Sequence, residues 1–441
     1  MEFTTQINHT EKYDVVVVGG GVAGFTAAIA AARAGAKTAL IEDLAALGGI
    51  LTTGGNPEIG IFYAYYKQAI SGIGWELCKR LENKGFAKIP DFSTVDTRRG
   101  GSPSNVKVNR AMCEAEMNTM CIQAGVDLYF HTKVVSAQTS GGYITSVIAA
   151  EKCGLVAFFA DVFIDCTGDG DVAYLCGAQM HESDELQPGT FGFSFECKNI
   201  NELDEKELRA QFNKRKEIGS IRHGDYWPEY HATMKGFLRA GGNNANHIVM
   251  DSSNAKGATK AEIEGRNAME RLLLFAKDNA DISVYPPASY TAPRETRRIV
   301  CDYTVTEEDF VTGRLFEDSL SYSYYNMDLH RSTNKDGSMP FEECADYRLP
   351  DGVVPTVPLS AMTVKGFNNL LTAGRCISAN RAVMGGFRVK SSCMGMGQAV
   401  GVTAALTKNR NVRQTDINKI KATLKEQGAI VPDKSIFNQA L

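Results

Sequence analysis

The chain has 441 residues, 44% of them hydrophobic and 22% charged, with a formal net charge of -4. That length exceeds a single compact core and predicts two to three domains. The charge balance leaves no excess of cations for a nucleic-acid backbone or an anionic membrane, so binding has to come from local sites.

The opening stretch MEFTTQINHTEK carries neither a basic nor an apolar targeting region, and a cytoplasmic protein with no membrane partner is expected. The first apolar run, Val15 to Val18, is far too short to span a bilayer. Residues 14 to 42 read as strand, turn, helix and strand: the valine run, Gly19-Gly20-Gly21, a helix from Val22 to Ala34, and a strand from Lys37 to Ile41. Gly35 closes the helix where a left-handed residue is favoured. A strand, crossover helix and strand of this kind implies a parallel sheet covered on both faces. Leu47 to Gly74 is rich in Gly, Thr and aromatic residues and reads as a loop leaving a nucleotide site, followed by a helix over Trp75 to Lys84. A helix over Arg110 to Ala124 ends at Gly125 and feeds a strand, Asp127 to Phe130.

Three short alternating runs follow, Val134 to Gln138, Tyr143 to Ala150 and Leu155 to Ala160, and predict a small antiparallel meander. Asp161 to Thr167 returns to a buried strand. From about Gly189 to Asp351 the chain is more charged, with a helix over Lys260 to Lys277 opened by Thr259 and Glu262 as a capping box. Asn369 to Ala373 and the small-residue helix after Ser392 restore the earlier character. A discontinuous nucleotide domain (1–60, 100–188 and 352–441) is therefore expected around an inserted α+β cap (189–351), with 61–99 a helical excursion near the interface.

Eleven cysteines are scattered without a Cys-x-x-Cys pair, which excludes a zinc ribbon and a redox-active disulfide of the glutathione-reductase type and predicts free, buried thiols. The histidines, His131 and His247 among them, have no spacing that suggests a metal site.

Gly19-Gly20-Gly21-Val22-Ala23-Gly24 fits GxGxxG in the right context: after a strand, opening a helix, with an acid, Glu42, ending the next strand. Gly19 makes the tight turn, Gly21 admits a pyrophosphate against the backbone, and Gly24 lets helix and strand approach. The helix amides face the phosphates, and Glu42 accepts from ribose hydroxyls. Further segments point to FAD rather than NAD: Leu47-Gly48-Gly49 with Thr52 just beyond, the strand and turn Ile164 to Asp171 with Thr167-Gly168, and Leu370 to Arg375, followed by a helix with Gly395 and Gly397 on its opening turns. Val134 is placed beside the same ligand.

These segments, in this order, resemble the FAD-dependent oxidoreductase family related to the flavoprotein subunit of fumarate reductase. The resemblance implies an α/β, Rossmann-like FAD-binding domain of the glutathione-reductase, two-dinucleotide-fold type with an inserted substrate cap. It aligns Thr167-Gly168 and Gly374-Arg375 with residues beside the FAD, and it aims the helix after Ser392 at the flavin, where a positive helix end stabilises the reduced form. Fumarate-reductase-like subunits often carry a histidine for covalent attachment after the paired glycines; here Ile50-Leu51-Thr52-Thr53 stands instead, and noncovalent FAD is expected.

A single GxGxxG leaves no second nucleotide site of the usual kind, so electrons exchange with a small-molecule substrate and with an unidentified acceptor or donor partner. The resemblance matches Arg294-Glu295-Thr296-Arg297-Arg298 to an Arg-Glu-x-Arg-Arg segment and Met327-Asp328-Leu329-His330 to an Asp-x-His segment. It nominates His330 for proton transfer and Arg294 or Arg298 for holding a carboxylate or developing oxyanion; Arg388, just before the helix facing the flavin, is a further candidate. Cys376 and Cys393 near the helix end are read as packing. The leading reading is hydride transfer between flavin and a polyol, sugar or hydroxy acid; an O2-using oxidase or monooxygenase and a noncatalytic FAD-binding protein are the alternatives. A tRNA-modifying flavoprotein lacks the basic stripe it would need.

Overall fold

The computed structural model describes residues 6–98, 102–181, 183, 185–222, 224–226, 233–242, 244–330 and 348–437. The first five residues of the amino-terminal stretch and residues 331–347 of the expected cap lie outside them.

The valine run belongs to β1 (His9–Val18), which leads into helix α1 (Val22–Arg33) and then β2 (Thr38–Ile41). β1 and β2 pair in parallel, as the crossover requires. Side chains alternate between the two faces of a strand, and the four valines divide accordingly. Val15 and Val17 join the core on the α1 side, Val16 and Val18 the core on the other. Both faces are buried, which is why the strand reads as a continuous apolar run.

After helices Ile73–Asn83 and Arg110–Ala124, β3 (Val126–Tyr129) pairs in parallel with the outer edge of β2. Three longer strands follow: β4 (Lys133–Ser140), β5 (Tyr143–Glu151) and β6 (Gly154–Asp165). Here the structure corrects the sequence reading. The run Leu155 to Ala160 and the buried run after Asp161 are one 12-residue strand, because β1 pairs with it from Val156 to Asp165 with no turn between. The meander is therefore continuous with the main sheet. β6 carries antiparallel β5 along its first half and parallel β7 (Leu370–Thr372) along its last residues. The seven strands run β3-β2-β1-β6-β5-β4, with β7 beside the carboxyl end of β6.

Residues 190–299 contribute short antiparallel pairs: Thr190–Phe191 with Thr291–Ala292, Ser194–Cys197 with Ile282–Tyr285, and Met180–His181 with Arg298–Ile299. A separate core, drawn wholly from residues between Phe193 and Ala276, packs beneath helix Ala255–Asn279. That helix starts a turn before the expected Thr259. Its cap is Asn254, whose Oδ1 accepts from Gly257 N–H at 2.9 Å. A side chain at Gly257 would meet Asp251 O at 1.9 Å, so the tight first turn needs the glycine. Thr259 sits inside the helix and donates to Ala255 O, while Glu262 accepts from Thr291 N–H across to the neighbouring strand.

Helix α1 is enclosed by the sheet and by a second small-residue helix, Lys390–Leu406. A Cβ at Gly397 would stand 2.1 Å from Ala23 O, and one at Gly401 2.2 Å from Ala27 O. The two helices touch backbone to backbone, and neither side can yield. Gly401→Val is expected to lower stability by about 1–3 kcal/mol through overpacking, read as a drop in urea midpoint with unchanged slope; an unchanged midpoint would show that the helices separate freely. Among the described residues no helix is long and apolar enough to cross a membrane.

Candidate cofactor and catalytic site

A cavity of about 650 Å³ opens where β1, β2, β6 and β7 end, the crevice in which α/β sheets bind ligands. At one end the chain leaves β1 through Gly19, whose φ is +96° and whose Cβ would lie 2.5 Å from Cys166 O. Gly24 is as crowded, its Cβ 1.8 Å from Gly19 O. Gly21 differs: a Cβ there meets nothing within 4 Å, and the residue lines the cavity with Val22 and Ala23. Two glycines thus hold helix to strand, and the third leaves backbone open to a ligand.

Glu42 lines the same end and is fixed by two amides, Gly20 N–H to Oε2 at 2.6 Å and Leu44 N–H to Oε1 at 2.8 Å. Burial, then the Asp43 carboxyl, pushes its pKa up to about 7 against those amides. Each oxygen keeps a further lone pair for a ribose hydroxyl. Gly48, Gly49 and Val134 complete this wall.

Across the cavity, the turn after β6 is organised by Asp165, which accepts from the Thr167 amide and hydroxyl at 3.1 and 2.7 Å. Thr167, Gly168, Gly374 and Arg375 all line the cavity. A Cβ at Gly168 would meet Arg375 Nη2 at 2.6 Å, so the glycine lets the guanidinium lie over the turn. Arg375 Nη2 donates to Asp169 Oδ1 at 2.9 Å. Nη1 is buried without a partner among the described residues. A buried donor left unmet is costly, and an anion such as a pyrophosphate would satisfy it. The open backbone at Gly21 and this donor fit the phosphate-bearing half of a dinucleotide.

Four sequence-nominated positions are placed elsewhere. Thr52 is buried and donates to Leu47 O at 2.5 Å, closing the loop from within. Gly397 is used up in the contact with α1, and Gly395 faces Ser321, so the helix opening presents Val389, Lys390 and Cys393 to the cavity instead. Arg298 is buried, paired with Glu295 at 2.5 Å, and lies outside the cavity lining. Its strand register beside His181 turns it into the interior.

The remaining wall is polar. His330 and Asp328 of one segment meet Arg388 and Arg294 there from two others. His330 Nε2 lies 3.1 Å from Asp328 Oδ1, and Arg388 Nη2 donates to Asp328 Oδ2 at 3.0 Å. Arg294 donates to Pro188 O at 2.7 Å and Asn244 Oδ1 at 3.1 Å. Burial alone would raise the Asp328 carboxyl, but His330, Arg388 and Arg294 hold it well below the usual range. Burial, then the Arg294 charge, pushes His330 down to about 4 despite Asp328. The His247 ring meets His330 edge to face at 4.8 Å, and burial and Arg294 keep it neutral too. An ionised Asp328 beside Nε2 fixes the proton there and leaves Nδ1 as the lone-pair nitrogen. Nδ1 has no partner among the described residues.

Sequence reasoning missed Asp328, although the Asp-x-His segment held it, as well as Asn244, Tyr290, His247 and Lys390. Asn244, Tyr290 and Lys390 line the cavity from three separate segments, and no local pattern marks them. Burial pushes the Cys393 thiol up to about 12 and raises that of Cys376, so both are protonated and fill space. The cysteines among the described residues are all free, and no cluster of metal-binding side chains occurs among these residues.

A family model described as FAD dependent oxidoreductase matches residues 14–424. This chain therefore belongs to the FAD-dependent oxidoreductase family, and its α/β fold carries a Rossmann-like FAD-binding sheet of mixed direction. Over 106 residues it is 36% identical to a tRNA uridine 5-carboxymethylaminomethyl modification enzyme, MnmG, of a Sulfurihydrogenibium species, covering 24% of this chain and 16% of that one. The same enzyme of Aquifex aeolicus is 40% identical over 91 residues, 20% of this chain and 14% of that protein. The matches thus span about a sixth of those relatives or less. A geranylgeranyl bacteriochlorophyll reductase-like protein of Thermoplasma acidophilum aligns over 98% of this chain and 85% of its own, at 12% identity and a TM-score of 0.42.

Because a Cβ at Gly21 meets only open cavity, Gly21→Ala is expected to weaken FAD binding at least tenfold while leaving apoprotein unfolding within about 0.5 kcal/mol of the parent. Flavin titration and denaturant melts read the two effects separately; full FAD retention would remove the phosphates from this position.

Proposed function

We propose that the chain binds FAD noncovalently along this cavity and transfers a hydride between the flavin and a small polar substrate held at the His330 end. The reading rests chiefly on one observation: a histidine whose Nδ1 has no partner among the described residues, anchored by an aspartate at Nε2, shares a cavity with a glycine-opened helix start. Bound FAD supplies the two-electron chemistry that amino-acid side chains lack.

The protein's part is binding, orientation and proton handling. The α1 amides and Arg375 hold the pyrophosphate, and Glu42 the ribose. Ile50 lines the cavity where a histidine would be needed for covalent attachment, which supports a dissociable cofactor. The order of the glycine-rich segments along the chain supports a relation to the fumarate-reductase flavoprotein group and, through it, a glutathione-reductase-type domain. Arg294 and Arg388 receive the polar or anionic end of an alcohol, sugar or hydroxy acid through donors that fork across two oxygens. His330 Nδ1 then takes the hydroxyl proton as the substrate C–H bond breaks, and the resulting imidazolium is stabilised by Asp328. An electron partner outside the chain completes turnover.

His330 is a base only when neutral, so kcat/KM should hold level across neutral pH and fall only as pH drops through about 4, without a step at the ordinary histidine value. The sign agrees for stability: a histidine depressed by folding favours the native state above its unfolded pKa and loses that contribution as pH falls toward the folded value. His330→Gln should slow flavin reduction by about 10²–10⁴-fold with FAD content unchanged, measured anaerobically against a panel of alcohols, sugars, hydroxy acids and amines. Equal reduction rates in parent and variant would take His330 out of the chemistry.

A further inference from the structure

Lys390 is a cation of the cavity to which the proposed reaction assigns no part. Lys390 is the first residue of helix Lys390–Leu406 and lines the cavity together with Glu58, Gly60 and Asn105. Its Nζ donates to the backbone carbonyl of Glu58 at 2.7 Å. An ammonium carries three donors, so this single contact leaves two for a ligand. The Glu58 carboxylate is engaged elsewhere, accepting from Asn105 Nδ2 at 3.0 Å and lying 3.5 Å from Lys107 Nζ. No ion pair thus neutralises Lys390 directly among the described residues. The charged and titratable groups facing it are Glu58 from the short strand Glu58–Ile59, Arg388 two residues back and Cys393 on the next turn. The helix start adds its own partial positive charge.

The α1 amides, Arg375 and Glu42 account for the pyrophosphate and adenosine ribose, so the ring half of the dinucleotide has to occupy the rest of the cavity, which Lys390 borders. We propose that Lys390 is the cation that stabilises the negative charge gained by the flavin ring on two-electron reduction, and that it thereby raises the reduction potential of the bound cofactor. The inference rests on the FAD seating proposed above. The charge balance is simple: substrate gives up a hydride, its hydroxyl proton goes to His330, and Lys390 keeps its proton throughout and faces the added negative charge. Burial, offset in part by Glu58, brings the pKa of Lys390 down to about 8, so its charge is present at neutral pH and lost in mild alkali.

The test measures the two-electron reduction potential of the holoenzyme, by equilibration with a reference dye under dithionite, for the parent, Lys390→Met and Lys390→Arg. Removing the charge should shift the reduction equilibrium against the reduced form at least tenfold, about 30 mV for two electrons, while Lys390→Arg stays near the parent. In the parent, reduction should take up an extra proton above about pH 8, doubling the pH slope from the roughly 30 mV per unit of one proton per two electrons; Lys390→Met should keep the single-proton slope. Equal potentials in parent and Lys390→Met would overturn the inference and leave the FAD site standing. Should Lys390→Met purify without flavin, the parent decides: a constant single-proton slope from about pH 7 to 10 overturns the proposal. A parent that binds no FAD would instead overturn the seating itself, and the inference with it.

Discussion

Helix α1 leaves β1 through backbone contacts that no side chain could share. Gly24 lies against Gly19 O, Gly19 against Cys166 O, and from the far side Gly397 and Gly401 bring the second helix down on Ala23 O and Ala27 O. Close packing of this kind is rigid, since a single added methyl group forces neighbours to move. It fixes the carboxyl ends of β1 and β6 and the starts of both helices around one cavity. With the backbone pinned, the amides at the start of α1 stay pointed at the ligand, and no free energy is spent ordering them when it binds.

The polar wall depends on that frame through a second, buried layer. The His330 amide donates to Gln187 Oε1, the Gln187 amide to Glu295 Oε2, and Glu295 is held by Arg298 and Arg381. Arg298, which the sequence suggested for substrate, thus serves three contacts behind the histidine. Burial, and then the charge of Arg294, outweigh the pull of Asp328, and this is why the same histidine that would titrate near neutrality in water stays neutral here. The arrangement produces a base from burial and a neighbouring cation, with a carboxylate to orient it.

Much of the glycine-rich end of the cavity was legible in the chain because it is written in short segments. Gly19 to Gly24, Glu42, Thr167-Gly168 and Gly374-Arg375 each sit at a strand end, where local pattern determines position. The errors arose where a tertiary contact overrode the local signal. Gly397 and Gly395 were given to the cofactor because small residues at a helix start suit a ligand, but they suit a neighbouring helix equally. Thr259 was taken for a cap because Glu262 stands three residues beyond it, but Glu262 reaches across to the neighbouring strand instead. β6 was divided in two because alternation changes along it, a change caused by the partner switching from β5 to β7. Asn244, Tyr290 and Lys390 come from distant parts of the chain, and only folding brings them to one wall.

The most direct test of the account is the visible spectrum of the purified protein before and after acid precipitation, with flavin counted per chain. A noncovalent FAD in this cavity predicts a yellow protein that releases one FAD per chain into the supernatant and leaves a colourless pellet. Colourless protein that cannot be reconstituted with FAD would contradict the cofactor assignment, and flavin retained in the pellet would contradict its noncovalent binding.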